Sequence, residues 1–291
     1  MRRKFLPISA LILLLLLLTT SAFASVSYLG PAGTYTEEAT ILFFGEKESI
    51  TPATTVPEAL NLVKSGQCQY AVVPVENTIG GPVYNYLDAV VNDADLVVIG
   101  EVNLPIRQTL LALPGANIKE IKTIMSHPQG IAQSKDWVKV NLPGAKLVEV
   151  SSTAEAAKRV SEMGDNTAAA IAASRTAQVY NLSILANDLQ YTKDNVTRFW
   201  VITLKQNQVQ GNERSALVAQ GPAQYLPGLL SDISRKGYKV VSIHDRPAKT
   251  LLGEYIYVVE LTGGKPGELN EVSKKYEKNL KIRILGSFNA K

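Results

Sequence analysis

Three polar side chains stand directly before a strongly strand-forming run: in residues 194–202, DNVTRFWVI, Asn195, Thr197 and Arg198 precede or open the stretch Phe199, Trp200, Val201 and Ile202. The aromatic and β-branched residues predict a strand. A strand entrance holds polar groups still while leaving them open to a cleft. A guanidinium there offers a carboxylate a rigid fork of donors, and a neighbouring hydroxyl can donate one hydrogen bond to an oxygen. The combination suits an anionic substrate that loses an oxygen. The same residues also fit an edge strand with a surface arginine and a turn threonine, and residue types alone do not choose between the two.

Further polar clusters sit at comparable junctions. Glu76, Asn77 and Thr78 follow a predicted strand over 70–75, at the C-terminal edge where open α/β sheets bind ligands. Gly30-Pro31-Ala32-Gly33 turns a predicted strand over 26–29 into a helix beginning near Thr34. Backbone N–H groups at such a helix start, those of Gly33 and Thr34, suit a carboxylate, and Glu37 and Glu38 in the first turn complement the dipole. Ser126, His127 and Gln129 occupy another strand-to-helix junction, where His127 reads first as a structural histidine.

The elements that must position these groups alternate short apolar runs with helical patterns, the sequence form of an α/β domain with a largely parallel sheet. After 105–113 the pattern enters a second lobe, with strands over 121–125, 146–150 and 168–172 and helices over 129–140 and 153–163. It returns through 182–186 to the opening stretch, which gives a two-lobed domain over 25–205 with its cleft between the lobes. Residues 206–213 are polar and read as a linker. Beyond them, strands over 215–220, 239–244, 254–261 and 281–285 and helices over 224–235 and 269–276 make a ferredoxin-like βαββαβ order over 214–291.

The 291 residues are 46% hydrophobic and 19% charged, which describes a globular chain with room for two domains and excludes a disordered one. Of the formal net charge of +4, Arg2, Arg3 and Lys4 supply three, so the remainder carries +1 and no nucleic-acid or anionic-membrane partner is implied. Those three residues open a segment with an apolar run over 11–18 and Ala22-Phe23-Ala24 as a small-x-small cleavage site, the layout of a secretory signal peptide over 1–24. A periplasmic or secreted protein is expected. Residues 5–24 also approach the roughly 20 needed to span a bilayer, so an uncleaved anchor is the alternative. The single cysteine, Cys68, permits no disulfide within the chain and reads as a buried thiol. No Cys/His cluster has metal-ligand spacing and GPAGT is not a nucleotide loop, so neither metal nor cofactor is expected.

Asn195-x-Thr197-Arg198-Phe199 before a hydrophobic strand resembles the signature of the prephenate dehydratases. YLGPAGTYTEEA over 28–39, VPVENTIGGPVYNYLD over 73–88, SHPQGIAQ over 126–133 and AAIAASRTAQVYNLSIL over 169–185 resemble further segments of that family, in the family's order. The C-terminal part is similar to the ACT regulatory module, through Arg246-Pro247, Gly253-Glu254-Tyr255 and Leu285-Gly286-Ser287-Phe288. Three departures stand out: His244-Asp245 replaces the common Glu-Ser before Arg-Pro, Ser215 replaces a Gly, and Thr78 stands where Ser is usual.

The resemblance implies a catalytic domain laid out like type II periplasmic binding proteins and followed by an ACT domain. It implies loss of CO2 and hydroxide from prephenate to give phenylpyruvate in phenylalanine biosynthesis, without cofactor or metal. Thr197 would then hydrogen-bond the leaving hydroxyl, Arg198 would take the substrate carboxylate or fix the motif, and Glu76 or a bound water would supply the proton. Asn77, Thr78, Ser126, Gln129, Asn195 and Phe199 would complete the substrate site, with Gly33 and Thr34. Ser215, Ala216, Leu217, His244, Asp245, Arg246 and Pro247 would form the regulatory site for phenylalanine. Its departures lead us to expect weak or absent inhibition by that amino acid. A homodimer or homotetramer is implied. Arogenate as substrate or co-substrate is a close variant. A periplasmic binding protein for an aromatic anion would explain the export signal and two lobes but not the ACT-like tail, and an inactive regulatory protein would not need both Thr197 and Arg198.

Overall fold

A computed structural model describes residues 25–265 and 267–291. The segment read as a signal peptide, 1–24, lies outside the described residues. Among those described, no helix is long and apolar enough to cross a membrane.

The first lobe runs β1 (Ser25–Leu29), α1 (Tyr35–Phe44), β2 (Ser49–Ala53), α2 (Val56–Lys64), β3 (Tyr70–Asn77), β4 (Gly81–Pro82), α3 (Tyr84–Val91) and β5 (Leu96–Pro105), and is completed by β11 (Val196–Leu204). Its strands lie in the order β5-β11-β3-β1-β2. β1 is parallel to β2 and β3, whereas β11 runs antiparallel to both neighbours, so the sheet is mixed where a largely parallel one was expected. β11 can sit centrally because Phe199 to Ile202 are apolar on both faces, and each face meets its own core, Trp200 and Ile202 on one side and Phe199 and Val201 on the other. β2 has no counterpart in the sequence reading. Its run SITPA is mostly exposed and contains Pro52, a composition a sheet accepts only at its edge.

The helices begin where short polar residues cap them. Thr34, Thr55 and Ser152 each accept a hydrogen bond from the backbone N–H three residues on, and each of those residues is a glutamate.

The second lobe holds β6 (Thr109–Ala112), β7 (Thr123–Ser126), α4 (Pro128–Asn141), β8 (Lys146–Glu149), α5 (Thr153–Met163), β9 (Ala168–Ala172), α6 (Arg175–Val179) and β10 (Ser183–Ala186). Its five strands are ordered β10-β6-β9-β7-β8, and β9, all alanine and isoleucine, is buried along its whole length. The chain crosses between lobes twice, after β5 and before β11, which leaves a cleft between two bodies.

Residues 208–213 form no helix or strand and lead into β12 (Arg214–Pro222), α7 (Leu226–Arg235), β13 (Tyr238–Pro247), β14 (Glu254–Gly263), α8 (Glu268–Tyr276) and β15 (Lys281–Ala290). This is the expected βαββαβ order, with all three strand pairings antiparallel in the arrangement β13-β14-β12-β15. The sequence gives no sign of what β15 does next: Asn289 and Ala290 pair in parallel with Gly100 and Glu101 of β5, fusing both sheets into one of ten strands. The approach is close, since a Cβ on Gly286 would lie 2.0 Å from the Val98 carbonyl oxygen. Ala216, Val218, Val258, Leu285 and Phe288 share a buried core with Trp200 and Val73, so the C-terminal unit is packed against one face of β3, β5 and β11.

Candidate active site

The geometry of the site follows from one irregularity in the β3–β11 ladder. Thr197 pairs with Asn77 and Arg198 with Glu76, but Phe199 pairs with Pro74, so Val75 has no opposite number. An extra residue in one strand shifts every later side chain on that strand to the other face. Without it Glu76 would share Pro74's face; with it Asn77 does. Thr197, Phe199, Asn77 and Pro74 therefore line one side of an interlobe cavity of about 250 Å³. That is just under the usual range of about 300–1,000 Å³ for small-molecule sites and suits a single compact metabolite.

A chain of amides sets the polarity of Thr197. The Asn77 side-chain N–H₂ donates to Asn195 Oδ1 at 2.7 Å and to Thr197 Oγ1 at 2.9 Å. Asn77 Oδ1 accepts from the backbone N–H groups of Ile79 at 3.0 Å and Gly80 at 2.9 Å, which fixes which end of the amide faces Thr197. Because the Thr197 oxygen accepts here, its own O–H is left to donate into the cavity. Gln129 Nε2, from the second lobe, reaches Asn77 Oδ1 at 3.4 Å and joins the lobes across the same group.

The opposite walls are helix starts. The cavity meets the first turns of α1 at Thr34, Tyr35 and Thr36, of α4 at Gln129 and Gly130, and of α5 at Ser152 and Thr153. Each helix N-terminus carries partial positive charge and outward-facing N–H groups. No Asp, Glu, Lys or Arg is among the described residues that line the cavity. An anion would thus be held by dipoles and neutral donors, with Leu29, Ile106 and Phe199 forming an apolar wall. Among the described residues no group of three or more His, Cys, Asp or Glu is placed to hold a metal ion.

His127 caps α4, its Nδ1 accepting from the Gln129 N–H at 3.2 Å, and it lines the cavity. Burial pushes its pKa below the ordinary histidine value, against an opposing pull from Glu149. Gln108 and Gln133, joined at 2.9 Å, and the α5 start complete the lining. The sequence reading missed these. Ser152-x-x-Glu155 signals a helix start, which could have been treated like the junction at Thr34, but two isolated glutamines carry no signal.

Several expected site residues lie elsewhere. Arg198 and Glu76 occupy the face opposite Thr197 and Asn77, Nη2 to Oε2 at 3.0 Å, so Arg198 ties the strand pair together and neither side chain is among those lining the cavity. The Gly33 N–H is taken by the buried Glu37 carboxylate at 2.5 Å. Ser126 is fully buried and donates to the Ile171 carbonyl at 2.7 Å. Thr78 Oγ1 donates to the Asp194 carbonyl and accepts from the Val196 N–H, both at 3.0 Å, clamping β3 to the entrance of β11. Asn195 is fully buried behind Asn77 and orients it. Thr34, Asn77, Gln129, Thr197 and Phe199 are brought together at the cavity.

The residues expected to hold an effector are largely internal to one chain. Ser215 bonds Ser287 at 2.9 Å, Ala216 faces the catalytic lobe and Leu217 the C-terminal unit's own core. His244 is buried against Glu260 and Glu76. Arg246 makes a two-pronged contact with Asp88 on α3, Nε–Oδ1 3.1 Å and Nη2–Oδ2 3.0 Å, and stacks over Tyr84. Asp245 and Pro247 are exposed.

The sequence profile of the family described as prephenate dehydratase matches residues 26–207. The chain is 34% identical over 267 residues to the bifunctional chorismate mutase/prephenate dehydratase of Aquifex aeolicus, covering 90% of this chain and 73% of that protein. It is 31% identical over 270 residues to the prephenate dehydratase of Amycolatopsis methanolica, covering 90% and 88%. Among solved structures, the prephenate dehydratase of Arthrobacter aurescens in complex with L-Phe superposes with a TM-score of 0.82 at 30% identity, covering 91% of this chain and 89% of that one.

The His127 cap gives the site a pH signature. Its folded-state pKa is lowered, so its contribution to stability is present above the unfolded value of about 6.5 and is lost as pH falls through the folded value. His127→Asn keeps a capping acceptor that does not titrate. Thermal unfolding between pH 7 and pH 5 should therefore show the wild-type Tm falling about 1–3 °C further than that of the variant. Parallel curves would remove the histidine from the balance.

Proposed function

The chain belongs to the prephenate dehydratase family, and we propose that it carries out the family's reaction in the interlobe cavity with Thr197 as the donor to the departing oxygen. The reaction is a carbon–oxygen lyase step of phenylalanine biosynthesis. The bond from the ring to one carboxylate breaks and releases CO2, its electron pair enters the ring, and the C–O bond to the ring hydroxyl breaks as the ring becomes aromatic, leaving phenylpyruvate.

The observation that carries the assignment is the Asn77 N–H₂ contact to Thr197 Oγ1, which leaves the threonine O–H as a donor facing the cavity. A donor preorganised at a developing negative charge contributes about 10²–10³ in rate. A threonine hydroxyl is too weak an acid to give up its proton outright, and no carboxylic acid is among the described residues lining the cavity, so the proton that completes the departing water does not come from a lining carboxyl group. The side-chain carboxylate is held by the helix starts at Thr34–Thr36, Gln129–Gly130 and Ser152–Thr153, with Gln129 and Asn77 as neutral partners. The ring carboxylate lies toward the apolar wall of Leu29, Ile106 and Phe199, where poor solvation favours its loss as CO2. An ammonium in place of the keto oxygen would meet no lining carboxylate, which supports prephenate over arogenate.

We extend the proposal to three features. Residues 1–24 act as a cleaved signal peptide and send the enzyme to the periplasm or outside the cell. Residues 214–291 act as an ACT domain that responds to phenylalanine, as the βαββαβ order and the Arthrobacter complex with L-Phe support. Its edge strand β13 carries exposed Val240, Val241 and Ile243, which supports pairing with a second chain into a dimer.

Three outcomes follow. Thr197→Ala lowers kcat by about two to three decades with little change in KM, because the lost donor acts chiefly in the transition state; steady-state rates of phenylpyruvate formation near the wild-type value would end Thr197's role. N-terminal sequencing of the exported protein finds Ser25 first, against an anchor if Met1 is retained in a membrane fraction. Phenylalanine inhibits weakly, since His244 and Asp245 alter the strand end that receives an amino acid in relatives. Potent inhibition at micromolar concentration would show that His244 and Asp245 leave the effector pocket working, and a monomer by light scattering would overturn the dimeric reading.

A further inference from the structure

Behind the catalytic strands lies a buried charge cluster that the reaction does not use. Arg198 Nη2 contacts Glu76 Oε2 at 3.0 Å and Glu260 Oε1 at 2.5 Å, and its Nη1 lies 3.8 Å from Glu101 Oε2. Glu101 and Glu260 are almost wholly buried, at 0% and 2% exposed. Glu260 comes from β14, in the C-terminal unit, and also accepts from Ser242 Oγ at 2.9 Å. His244 Nε2 stands 3.7 Å from Glu260 and 4.0 Å from Glu76. Burial alone would push the Glu260 carboxyl up, but the adjoining imidazole, the Arg198 charge and the Arg198 and Ser242 hydrogen bonds hold it below the ordinary carboxylate range. Three carboxylates thus converge on one guanidinium, from β3, β5 and β14.

This cluster sits on the rung next to the Thr197–Asn77 contact. The regular ladder is interrupted at Val75, one residue from Glu76, so the spacing of β3 and β11 there depends on side-chain ties more than it does in an unbroken ladder. Thr197 and Arg198 share a peptide bond, and a guanidinium gripped by Glu260 limits how far that segment can rotate or slide. Catalytic donors are sensitive to such play, since a misplacement of about 1 Å can cost roughly a hundredfold.

We propose that Glu260, from outside the cleft, is a positioning residue for the dehydration: by holding Arg198 it fixes the Thr197 hydroxyl against Asn77. The inference rests on the role given to Thr197, and the test separates the two. Glu260→Gln, which keeps an acceptor and loses the charge, should lower kcat about tenfold with KM within about twofold, because Glu260 touches no substrate. In a Thr197→Ala background the same substitution should cost nothing further, since the group it positions is already gone. Val259→Ala, which truncates a side chain in the C-terminal unit's own core, should lower Tm and leave kcat intact. Should Glu260→Gln fail to fold, Ser242→Ala removes one tie to the same carboxylate oxygen without changing charge, and it should show a smaller loss confined to kcat. A folded Glu260→Gln at wild-type kcat overturns the inference, as does a loss that multiplies with that of Thr197→Ala or a Ser242→Ala enzyme at full kcat beside an unfolded Glu260→Gln. If Thr197→Ala itself retains wild-type kcat, it is the assignment of Thr197 that fails.

Discussion

The two adjacent rungs Thr197–Asn77, facing one way, and Arg198–Glu76, facing the other, are the constraint from which the rest of the molecule can be understood. A β-strand sends neighbouring side chains to opposite faces. Two adjacent polar residues in each of two paired strands therefore build two sites, back to back. Chemistry goes to the face that meets the cleft, where the groups are neutral and one hydroxyl points outward. Charge goes to the face that meets the C-terminal unit, where a guanidinium is enclosed by carboxylates. The catalytic sheet is thus the partition between a nearly uncharged cavity and a crowded ionic core, only one peptide thick.

That division has an electrostatic logic. A lysine or arginine in the cavity would bind a dianionic substrate strongly before and after reaction alike, and uniform binding of that kind does not speed the chemical step. Helix N-termini offer a weaker and more diffuse attraction. They leave room for the carboxylate that must depart to remain poorly solvated, while the Thr197 hydroxyl, the donor we propose for the transition state, is fixed by Asn77, which is itself fixed by Asn195 and by two backbone N–H groups. Keeping the permanent charges one layer back preserves rigidity without placing them on the substrate.

Much of this was legible in the sequence. The T-x-x-E and S-x-x-E caps mark where α1, α2 and α5 begin, and the alternation of apolar and polar runs gives both lobes and the βαββαβ order of the C-terminal unit. Thr197 and Phe199 could be assigned to one face from strand periodicity alone, and the same periodicity places Arg198 on the other, which a reading that gathered all three into one site overlooked. Glu76 and Asn77 were different. Which of them meets the cleft depends on the extra residue at Val75, and its one local sign, Pro74 in a run otherwise suited to a central strand, was not used. Nor could the run SITPA be recognised as a strand, since it is mostly exposed and carries Pro52, or β15 as a partner of β5, because that pairing joins segments distant in the chain.

The pairing of β15 with β5 also fixes the order in which the molecule can be assembled. β5 lies between β15 and β11, and both belong to the later part of the chain. As synthesis proceeds, β5 emerges with neither hydrogen-bonding partner available, a ten-residue strand rich in valine and isoleucine with two open edges. Contacts this distant in sequence close slowly, and an apolar edge left waiting is a site for aggregation. The central sheet is therefore the last part of the protein to be completed rather than the first. A nascent chain stalled between residues 204 and 281 has made every residue that lines the cavity without being able to close the sheet that carries them.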